Sequence, residues 1–216
     1  EQVHERALQL LAHAGYDVRT IDASGSGAWR DAAADAHMVG LRSRTQLDAA
    51  FFQQAERLWA VGCFCIGTDQ VDLAAAAAKG VAVFNAPFSN TRSVAEKTIA
   101  EIIALHRKLF DRSAALHRGE WTKSAEGAHE IRGRTLGIIG YGRIGSQVRV
   151  LAEALGMRVL YYDTANVLPM GNARRAESLD DVLGQADCVT LHVPDAPATR
   201  LLIKEHQLQR MKTGAL

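Results

Sequence analysis

Three closely spaced glycines are the residues of this sequence that most directly suggest chemistry. Gly140, Gly142 and Gly145 form the pattern G-x-G-x-x-G, with an apolar, strand-like run before it and a helical pattern after it. The first glycine permits a tight turn, the second lets the backbone approach a diphosphate, and the third lets helix and strand pack closely. The helix N-terminus adds free N–H groups and a positive dipole end, which favour phosphate. The pattern predicts a dinucleotide site, in which Arg143 is either a phosphate contact or a solvated surface residue.

An acidic residue follows this loop at the distance expected of a ribose-binding carboxylate. The strand-like residues 159–162 end in Asp163, which lies 18 positions after Gly145, close to the roughly 20 of dinucleotide-binding folds. A carboxylate accepts hydrogen bonds from ribose hydroxyls and repels a 2′-phosphate, and Thr164 stands where an NADP enzyme would often place arginine. The spacing therefore favours NAD over NADP. A glycine loop with a purely structural role is the alternative interpretation.

A second group of candidates lies in the first half of the chain. Arg42, Ser43 and Arg44 directly follow the strand-like residues 37–41, and open α/β sheets bind ligands at the carboxyl ends of their strands. Guanidinium groups suit phosphate or carboxylate because their fork donates two parallel hydrogen bonds. Spacing alone leaves open that these are exposed loop arginines, and the same holds for Lys123, a lone cation in an irregular segment.

Two thiols and a histidine attract attention but favour structural interpretations. Cys63 and Cys65 alternate on one face of a strand-like run, where burial is expected rather than redox or metal chemistry. His192 ends the strand-like residues 188–193 beside the predicted dinucleotide site. Local spacing offers it no carboxylate partner, so a packing role is favoured over that of a general base.

Alternating strands and helices must position these residues, and short connections between them imply right-handed βαβ units with parallel sheets. A turn at residues 24–27 is also expected. We predict strands at residues 18–21, 37–41, 58–66, 81–85, 135–139, 158–163 and 188–193, and helices at residues 3–14, after 27, and at 48–56, 73–79, 91–117, 143–155, 179–183 and 204–211.

The element order divides the chain into two α/β units joined by a long helix. We expect a substrate-binding domain at residues 1–89, an interdomain helix at 90–119 and a nucleotide-binding domain at 120–216. The chain opens at Glu1 without an initiator methionine and closes on residues 212–216, a turn that would feed a further strand. We therefore expect the sequence to be a fragment, with the second domain incomplete.

Composition narrows the class of protein. The 216 residues are 48% hydrophobic and 23% charged, which argues against disorder. A net charge of +1 lacks the basic excess of a general nucleic-acid binder. The apolar run at residues 73–78 is far shorter than the roughly 18 residues of a membrane span, and no secretory signal is visible. Three cysteines, an odd number, point to a reducing compartment, so we expect a cytoplasmic protein without a metal site.

Several stretches together resemble the NAD-dependent D-2-hydroxy-acid dehydrogenases. The most specific are the Leu-Arg-Ser-Arg run and the segment Asn-Ala-Pro-Phe-Ser-Asn-Thr-Arg-Ser-Val-Ala-Glu, and the similarity covers nearly the whole chain. The stretches that carry it are residues 40–45, 66–72, 83–96, 136–145, 168–173 and 191–194.

The resemblance implies a flavodoxin-like substrate domain and a Rossmann NAD-binding domain, with the active site in the cleft between them. It implies an oxidoreductase that transfers hydride from C2 of 3-phosphoglycerate to NAD, giving 3-phosphohydroxypyruvate in serine biosynthesis. A phosphorylated 2-hydroxy acid would be its partner, and the full-length protein would be a homo-oligomer. The alternatives are a dehydrogenase of an unphosphorylated 2-hydroxy acid and a non-catalytic dinucleotide-sensing protein on the same fold.

The resemblance also implies roles for individual residues. The substrate phosphate or carboxylate would meet side chains after the first-half strands and backbone amides at two further positions. The cofactor would lie along the glycine loop, the ribose carboxylate and the end of the last complete strand. The catalytic Arg, Glu and His of the family would lie beyond Leu216, so the chain alone is expected to be inactive. The implied substrate residues are Arg42, Ser43, Arg44, Ile66, Gly67, Asn90 and Lys123, and the implied cofactor residues are Gly140, Gly142, Arg143, Ile144, Gly145, Asp163, His192, Val193 and Pro194.

Overall fold

Two compact units make up the chain, each built on its own parallel sheet. The computed structural model describes residues 3–22, 28–194 and 196–216, and the units are Glu1–Asn90 and Thr91–Leu216. The turn predicted at residues 24–27 lies outside the described residues. The α/β class with parallel sheets is confirmed in both units.

The first unit places the ends of its strands at one level. The strands run in the order β1-β2-β3 and are all parallel. Leu41 pairs with Cys63, which pairs in turn with Asn85, so the three strands end side by side. The loops after them therefore emerge at one sheet edge. The elements are α1 (Glu5–His13), α2 (Ala28–Ala34), β1 (Met38–Leu41), α3 (Ala49–Gln54), β2 (Ala60–Cys63), α4 (Leu73–Ala78) and β3 (Ala82–Asn85).

Aspartates cap the N-termini of two of these helices, α3 and α4. Asp72 accepts a hydrogen bond from the Ala75 backbone N–H at 2.9 Å. Asp48 accepts one from the Phe51 backbone N–H, also at 2.9 Å. Such caps satisfy N–H groups that have no partner inside the helix. The Arg30 guanidinium and the Phe51 N–H together lower the pKa of Asp48 to about 2. The core beneath includes Leu47, Phe51, Phe52, Leu58, Val61 and Ala76.

The strand predicted at residues 18–21 is absent from the structure. These residues have extended sequence character but form no ladder with another strand. Ile21 still packs against the core, while Arg19 forms an exposed ion pair with Asp17. The reason is that a strand needs a neighbour to accept its backbone hydrogen bonds, and among the described residues β1 pairs with β2 alone.

The second unit has a sheet in the order β6-β5-β4-β7, all parallel. Numbered within the unit this is 3-2-1-4, the order of the dinucleotide-binding Rossmann sheet. Leu216 lies beside β7, because its N–H donates to Asp187 and its carbonyl accepts from Val189. The elements are α5 (Thr91–His106), α6 (Leu109–His117), β4 (Thr135–Ile139), α7 (Arg143–Ala154), β5 (Arg158–Tyr162), β6 (Arg174–Arg175), α8 (Leu179–Gln185), β7 (Cys188–Leu191) and α9 (Glu205–Arg210).

The long helix predicted at residues 91–117 is wrong, because the chain forms two helices there. Lys108, between α5 and α6, has a φ of 53° in the left-handed region, which a right-handed helix does not contain. The carbonyl of His106 accepts a 2.8 Å hydrogen bond from the His129 N–H. A loop far along the chain therefore takes an acceptor that an unbroken helix would use.

Helices cover both faces of the second sheet. On one face α5 and α7 pack over residues such as Leu136, Ile138 and Tyr161. On the other face α8 packs over Ile139 and Leu160. Burial on both faces is what a doubly wound parallel sheet requires. Among the described residues, no helix is both long and apolar enough to cross a membrane.

Candidate functional site

The glycine loop lies where the sheet of the second unit changes direction. Strand β4 lies between β5 and β7 in the sheet. The chain therefore leaves the carboxyl end of β4 towards one side of the sheet and the carboxyl end of β7 towards the other. Open α/β sheets bind ligands in the crevice at this point. The loop leads from β4 directly into α7, which begins at Arg143, an exposed residue. The residue at the N-cap position, Gly142, has no side chain with which to cap the α7 N-terminus.

Glycine suits each of the three positions in the loop for a different spatial reason. Gly140 has a φ of +91°, a conformation that side chains disfavour. A Cβ on Gly145 would overlap the Gly140 carbonyl oxygen, whereas a Cβ on Gly142 would meet nothing within 4 Å. The loop is therefore tightly packed between Gly140 and Gly145, whereas the space beside Gly142 is open. A diphosphate fits this arrangement, because the space adjoins an uncapped helix N-terminus.

Asp163 follows β5 and is joined to the loop by its side chain. One carboxylate oxygen accepts the Tyr141 backbone hydrogen at 2.7 Å, and the other accepts that of Ala165 at 2.8 Å. A carboxylate offers about four acceptor positions, so about two are left for the hydroxyls of a ribose. The residue predicted from spacing thus reaches the loop that it was expected to accompany.

His192 touches the loop through its backbone. A Cβ on Gly140 would meet the His192 carbonyl oxygen at 2.5 Å, and the His192 N–H donates to Ile139 at 2.8 Å. Its ring nitrogen Nε2 lies 3.1 Å from Thr190 Oγ1. Burial lowers the pKa of His192, which favours the neutral imidazole over the charged one. The structure gives it packing contacts without a carboxylate partner on the ring among the described hydrogen bonds.

The remaining predicted cofactor residues lie either in the glycine loop or directly after His192. Ile144 turns its side chain into the core of the second unit, so its backbone is the part available to a phosphate. Val193 packs against the core on the α8 face, and its Cγ1 approaches the Cβ position of Gly140. The carbonyl of Pro194 accepts a hydrogen bond from the Thr199 hydroxyl.

A stacked tyrosine pair supports the loop from below, and sequence reasoning missed it. The rings of Tyr141 and Tyr161 lie 3.8 Å apart between centroids and 17° from parallel, and both residues are buried. The Tyr161 hydroxyl donates to the Val167 carbonyl at 2.7 Å. The pair could have been suspected from an aromatic residue between two loop glycines, followed by another in the next strand.

An ion pair on α7 holds a further segment against that helix. Arg149 and Glu153 are 2.9 Å apart and largely shielded from solvent. The other Glu153 oxygen accepts the Asn172 backbone hydrogen at 2.9 Å. Burial opposes the charge of Arg149, but its pairing with Glu153 raises the pKa overall. The segment 168–173, noted for its resemblance, is thereby fixed to the helix that starts at the glycine loop.

In the first unit the structure brings five of the seven predicted substrate residues to one edge. Arg42, Ser43 and Arg44 follow β1, and Ile66 and Gly67 follow β2. Because β1 and β2 end level, these two loops leave the sheet side by side.

Two amide side chains that sequence reasoning missed tie these loops together. The buried Gln70 amide nitrogen donates to the carbonyls of Arg42 at 3.0 Å and Gly67 at 3.3 Å. The Asn85 amide, at the end of β3, donates to the Ile66 carbonyl at 2.7 Å. Their presence inside the family-like stretches was the available signal, but the pairing itself depends on the fold.

Asn90 and Lys123 are not part of these two loops. Asn90 is the last residue of the first unit, and Lys123 is exposed in the irregular segment between α6 and β4 of the second unit. Their approach to the substrate stays a prediction.

The cysteines have the environments of structural residues. Cys63 is buried, and burial raises the pKa of its thiol. The partly buried Cys65 donates to the Gly67 carbonyl. Burial also raises the pKa of Cys188 to about 12. Thiols with raised pKa values are poor nucleophiles. No cluster that could hold a metal ion occurs in the described parts of the chain.

A cavity of about 620 Å³ lies at the opposite edge of the second sheet. It is lined by Thr135 and Arg158, with which β4 and β5 begin. The glycine loop and Asp163 are at the carboxyl ends of the same strands, so this cavity is separate from the dinucleotide site.

Comparison with protein families decides what this arrangement belongs to. The family model described as "D-isomer specific 2-hydroxyacid dehydrogenase, NAD binding domain" matches residues 99–216. The chain belongs to the D-isomer specific 2-hydroxyacid dehydrogenases. The resemblance inferred from sequence is thereby confirmed, and the matched region contains the glycine loop, Asp163 and His192.

Curated members of this family match the chain throughout. It is 51% identical over 220 residues to D-3-phosphoglycerate dehydrogenase of Haemophilus influenzae, covering 100% of the chain and 53% of that protein. The Escherichia coli K12 enzyme of the same name is 50% identical over 218 residues, again with 53% of its length covered. D-3-phosphoglycerate dehydrogenase 1 of Saccharomyces cerevisiae is 49% identical, with 46% covered. The chain spans about half the length of these relatives.

Solved structures of related proteins share the fold. The TT0316 protein from Thermus thermophilus superposes with a TM-score of 0.85 at 30% identity, covering 96% of this chain and 67% of that one. D-lactate dehydrogenase from Aquifex aeolicus, solved with NAD and lactic acid, gives 0.82 at 28% identity, covering 97% and 64%. A Rossmann-like NAD-binding domain is therefore confirmed in the second unit, and NAD is its cofactor.

Proposed function

We propose that the protein oxidises 3-phosphoglycerate at C2 with NAD, giving 3-phosphohydroxypyruvate for serine biosynthesis. The observation that carries this proposal is the Arg42-Ser43-Arg44 loop at the carboxyl edge of the first sheet, in a chain whose second unit binds NAD. Two guanidinium groups beside a hydroxyl suit a substrate that has both a phosphate and a carboxylate. Identity near 50% to D-3-phosphoglycerate dehydrogenases over the whole chain supports the same substrate.

The residues of the first unit bind and orient the substrate in this proposal. Arg42, Ser43 and Arg44 contact its phosphate or carboxylate, with Lys123 of the second unit as a further phosphate contact. Backbone N–H groups at Ile66 and Gly67 donate to the carboxylate, and Asn90 helps to anchor it. The Ile66 carbonyl is engaged by the Asn85 amide and the Cys65 carbonyl by the Ala86 N–H, which fixes the peptide planes that carry the N–H groups of Gly67 and Ile66.

The residues of the second unit hold the cofactor. NAD supplies the hydride acceptor when it is bound. The amides at the start of α7 and the open space at Gly142 take the diphosphate, with Arg143 and Ile144 beside it. Asp163 accepts hydrogen bonds from the adenosine ribose, and residues 192–194 line the cofactor. The hydroxyl proton needs a base, and the family's Arg, Glu and His are expected in sequence that follows Leu216.

The proposal includes a flavodoxin-like first domain, with residues 90–119 as its connection to the second unit.

We also propose that the full-length protein is a homo-oligomer. Helix α6 buries none of its residues in the described structure. Its large apolar side chains Leu109, Phe110 and Leu116 are about half exposed or more, as is Trp121 beyond it. Contiguous exposed apolar residues are typical of protein interfaces. Light scattering of the purified full-length protein would give a mass above one chain.

Substrate choice is the decisive test of the proposed function. In the full-length protein we expect kcat/KM for 3-phosphoglycerate to exceed that for glycerate or lactate by at least about a hundredfold, because the phosphate gains charge-assisted hydrogen bonds to guanidinium groups, each worth about 1.5–3 kcal/mol. Arg44→Met should remove most of that preference, whereas Arg6→Met, on the exposed face of α1, should not. If unphosphorylated acids were used equally well, the proposed substrate would be wrong and a simpler 2-hydroxy acid would be favoured. NADH binding without turnover would favour a dinucleotide sensor.

A further inference from the structure

The short strand β6 carries an arginine, Arg175, whose described side-chain hydrogen bonds all go to one turn. The Arg175 guanidinium donates to the carbonyl of Asp163 and to that of Ala165, each at 3.3 Å, and to the side-chain oxygen of Asn166. These three acceptors belong to the turn that follows β5. One planar, permanently charged group therefore bridges the backbone of the turn that carries the Asp163 carboxylate.

The same turn is also held from within. The Ala165 N–H donates to the Asp163 carboxylate at 2.8 Å, and the Val167 N–H donates to the Ala165 carbonyl at 2.9 Å. The second carboxylate oxygen takes the Tyr141 N–H of the glycine loop. The orientation of the carboxylate thus depends on where the turn places residues 163–165, and the guanidinium holds two carbonyls of that stretch.

The contact leaves the carboxylate of Asp163 available to a ligand. The described hydrogen bonds of Arg175 go to the backbone carbonyl of Asp163 and not to its carboxylate. The carboxylate oxygens therefore keep their remaining lone pairs for ribose hydroxyls. The guanidinium, in turn, is engaged by neutral acceptors of the turn and is not offered to a 2′-phosphate, which agrees with NAD as the cofactor.

We propose that Arg175 is a positioning residue for NAD, which acts through Asp163 on the adenosine ribose. This inference rests on the proposed role of Asp163 in binding that ribose. Arg175 does not touch the reacting atoms, so its removal should weaken cofactor binding and raise the KM for NAD without changing kcat.

NADH titration, followed by fluorescence in the full-length protein, tests the proposal. Arg175→Met should raise the Kd for NADH about tenfold, which corresponds to about 1.4 kcal/mol. The matched control is Arg174→Met: Arg174 is exposed on the same strand and has no side-chain hydrogen bond or ion pair in the described part of the chain. We expect the control to change the Kd less than about twofold. Arg175→Lys keeps the charge but not the fork, and should bind with intermediate affinity.

A double-mutant cycle separates positioning from general damage to the domain. If Arg175 acts through Asp163, Arg175→Met should cost little once Asp163→Ala has removed the carboxylate, so the two losses are not additive. Additive losses, or an Arg175→Met variant that binds like wild type, would overturn the proposal. If Arg175→Met fails to fold, the same double-mutant cycle is measured with Arg175→Lys in its place. Failure of the wild-type protein to bind NADH would instead refute the cofactor site itself.

Discussion

Gly145 lies so close beneath Gly140 that a methyl group on Gly145 would overlap the Gly140 carbonyl oxygen. The turn and the first part of α7 are therefore packed against each other without room for a side chain. Gly142, between them in sequence, has open space beside it and an ordinary backbone φ of −78°. Two glycines of one motif are thus required for different reasons, packing in one and ligand access in the other.

This difference predicts opposite results for two alanine substitutions. Gly145→Ala should lower the free energy of unfolding by about 1–3 kcal/mol, as overpacking does. Gly142→Ala should leave the melting temperature unchanged or slightly higher but raise the Kd for NADH at least about tenfold, because its methyl group occupies the diphosphate space. Thermal unfolding and NADH titration measure the two effects.

Gly184 provides the control for these substitutions. It lies in α8, where an added Cβ has ordinary contacts, so Gly184→Ala should change neither property for the worse. A Gly142→Ala variant that binds NADH like wild type would contradict the placement of the diphosphate.

The carboxylate of Asp163 predicts strong selectivity between the two nicotinamide cofactors. We expect the full-length protein to bind NADH at least about a hundredfold more tightly than NADPH, because placing like charges next to each other costs several kcal/mol. Asp163→Asn should weaken NADH binding and leave NADPH binding equal or better, so the ratio falls. Titration of both cofactors measures it, and an unchanged ratio would show that another residue selects the cofactor.

The Gln70 amide predicts a link between stability and substrate binding in the first unit. Gln70→Leu keeps the volume but leaves the carbonyls of Arg42 and Gly67 without this donor. Loss of these part-buried hydrogen bonds should cost about 0.5–1.5 kcal/mol, and the loosened loops should raise the KM for 3-phosphoglycerate more than the KM for NAD.

Denaturant unfolding and steady-state kinetics of the Gln70→Leu variant provide the two measurements. The exposed Gln9 of α1, changed to leucine, is the control. Equal increases in both KM values would mean that the amide has no specific effect on the substrate edge.

Asp48 predicts a pH-dependent part of the stability. The Arg30 guanidinium and then the Phe51 N–H lower its folded pKa to about 2 from an ordinary value of 3.8. A carboxylate whose pKa is lowered on folding stabilises the native state above its unfolded pKa, and this contribution disappears as the pH falls through the folded pKa. Asp48→Asn should therefore melt a few degrees below wild type at pH 7.

The difference between the two melting curves should shrink as the pH falls from 4 towards 2. Thermal unfolding at several pH values in that range tests this expectation. A constant difference would show that Asp48 stabilises the helix by hydrogen bonding that does not depend on its charge.

Features set by nearby residues were predictable from the sequence. The strand before Gly140, the helix after it and the aspartate at the end of the next strand follow from local pattern and spacing, and all were found. The cap of α4 by Asp72 was likewise a local matter. Each of these elements is determined by residues within one turn or one strand of it.

Features set by distant partners were not predictable. The strand β6 is two arginines long and exists because it pairs with β5. The break at Lys108 depends on His129, and the bonds of Gln70 join loops that are 28 positions apart. The unpaired residues 18–21 show the converse, because a strand-like sequence alone cannot supply a neighbour.

The ring stack between Tyr141 and Tyr161 gives the protein a built-in optical label. Two aromatic chromophores held 3.8 Å apart in a fixed, nearly parallel orientation couple to each other and lend the near-ultraviolet circular dichroism a signal of their own. One of them sits between the two glycines of the turn. Loading of the dinucleotide could therefore be followed in the unmodified polypeptide, without an attached dye or an engineered tryptophan.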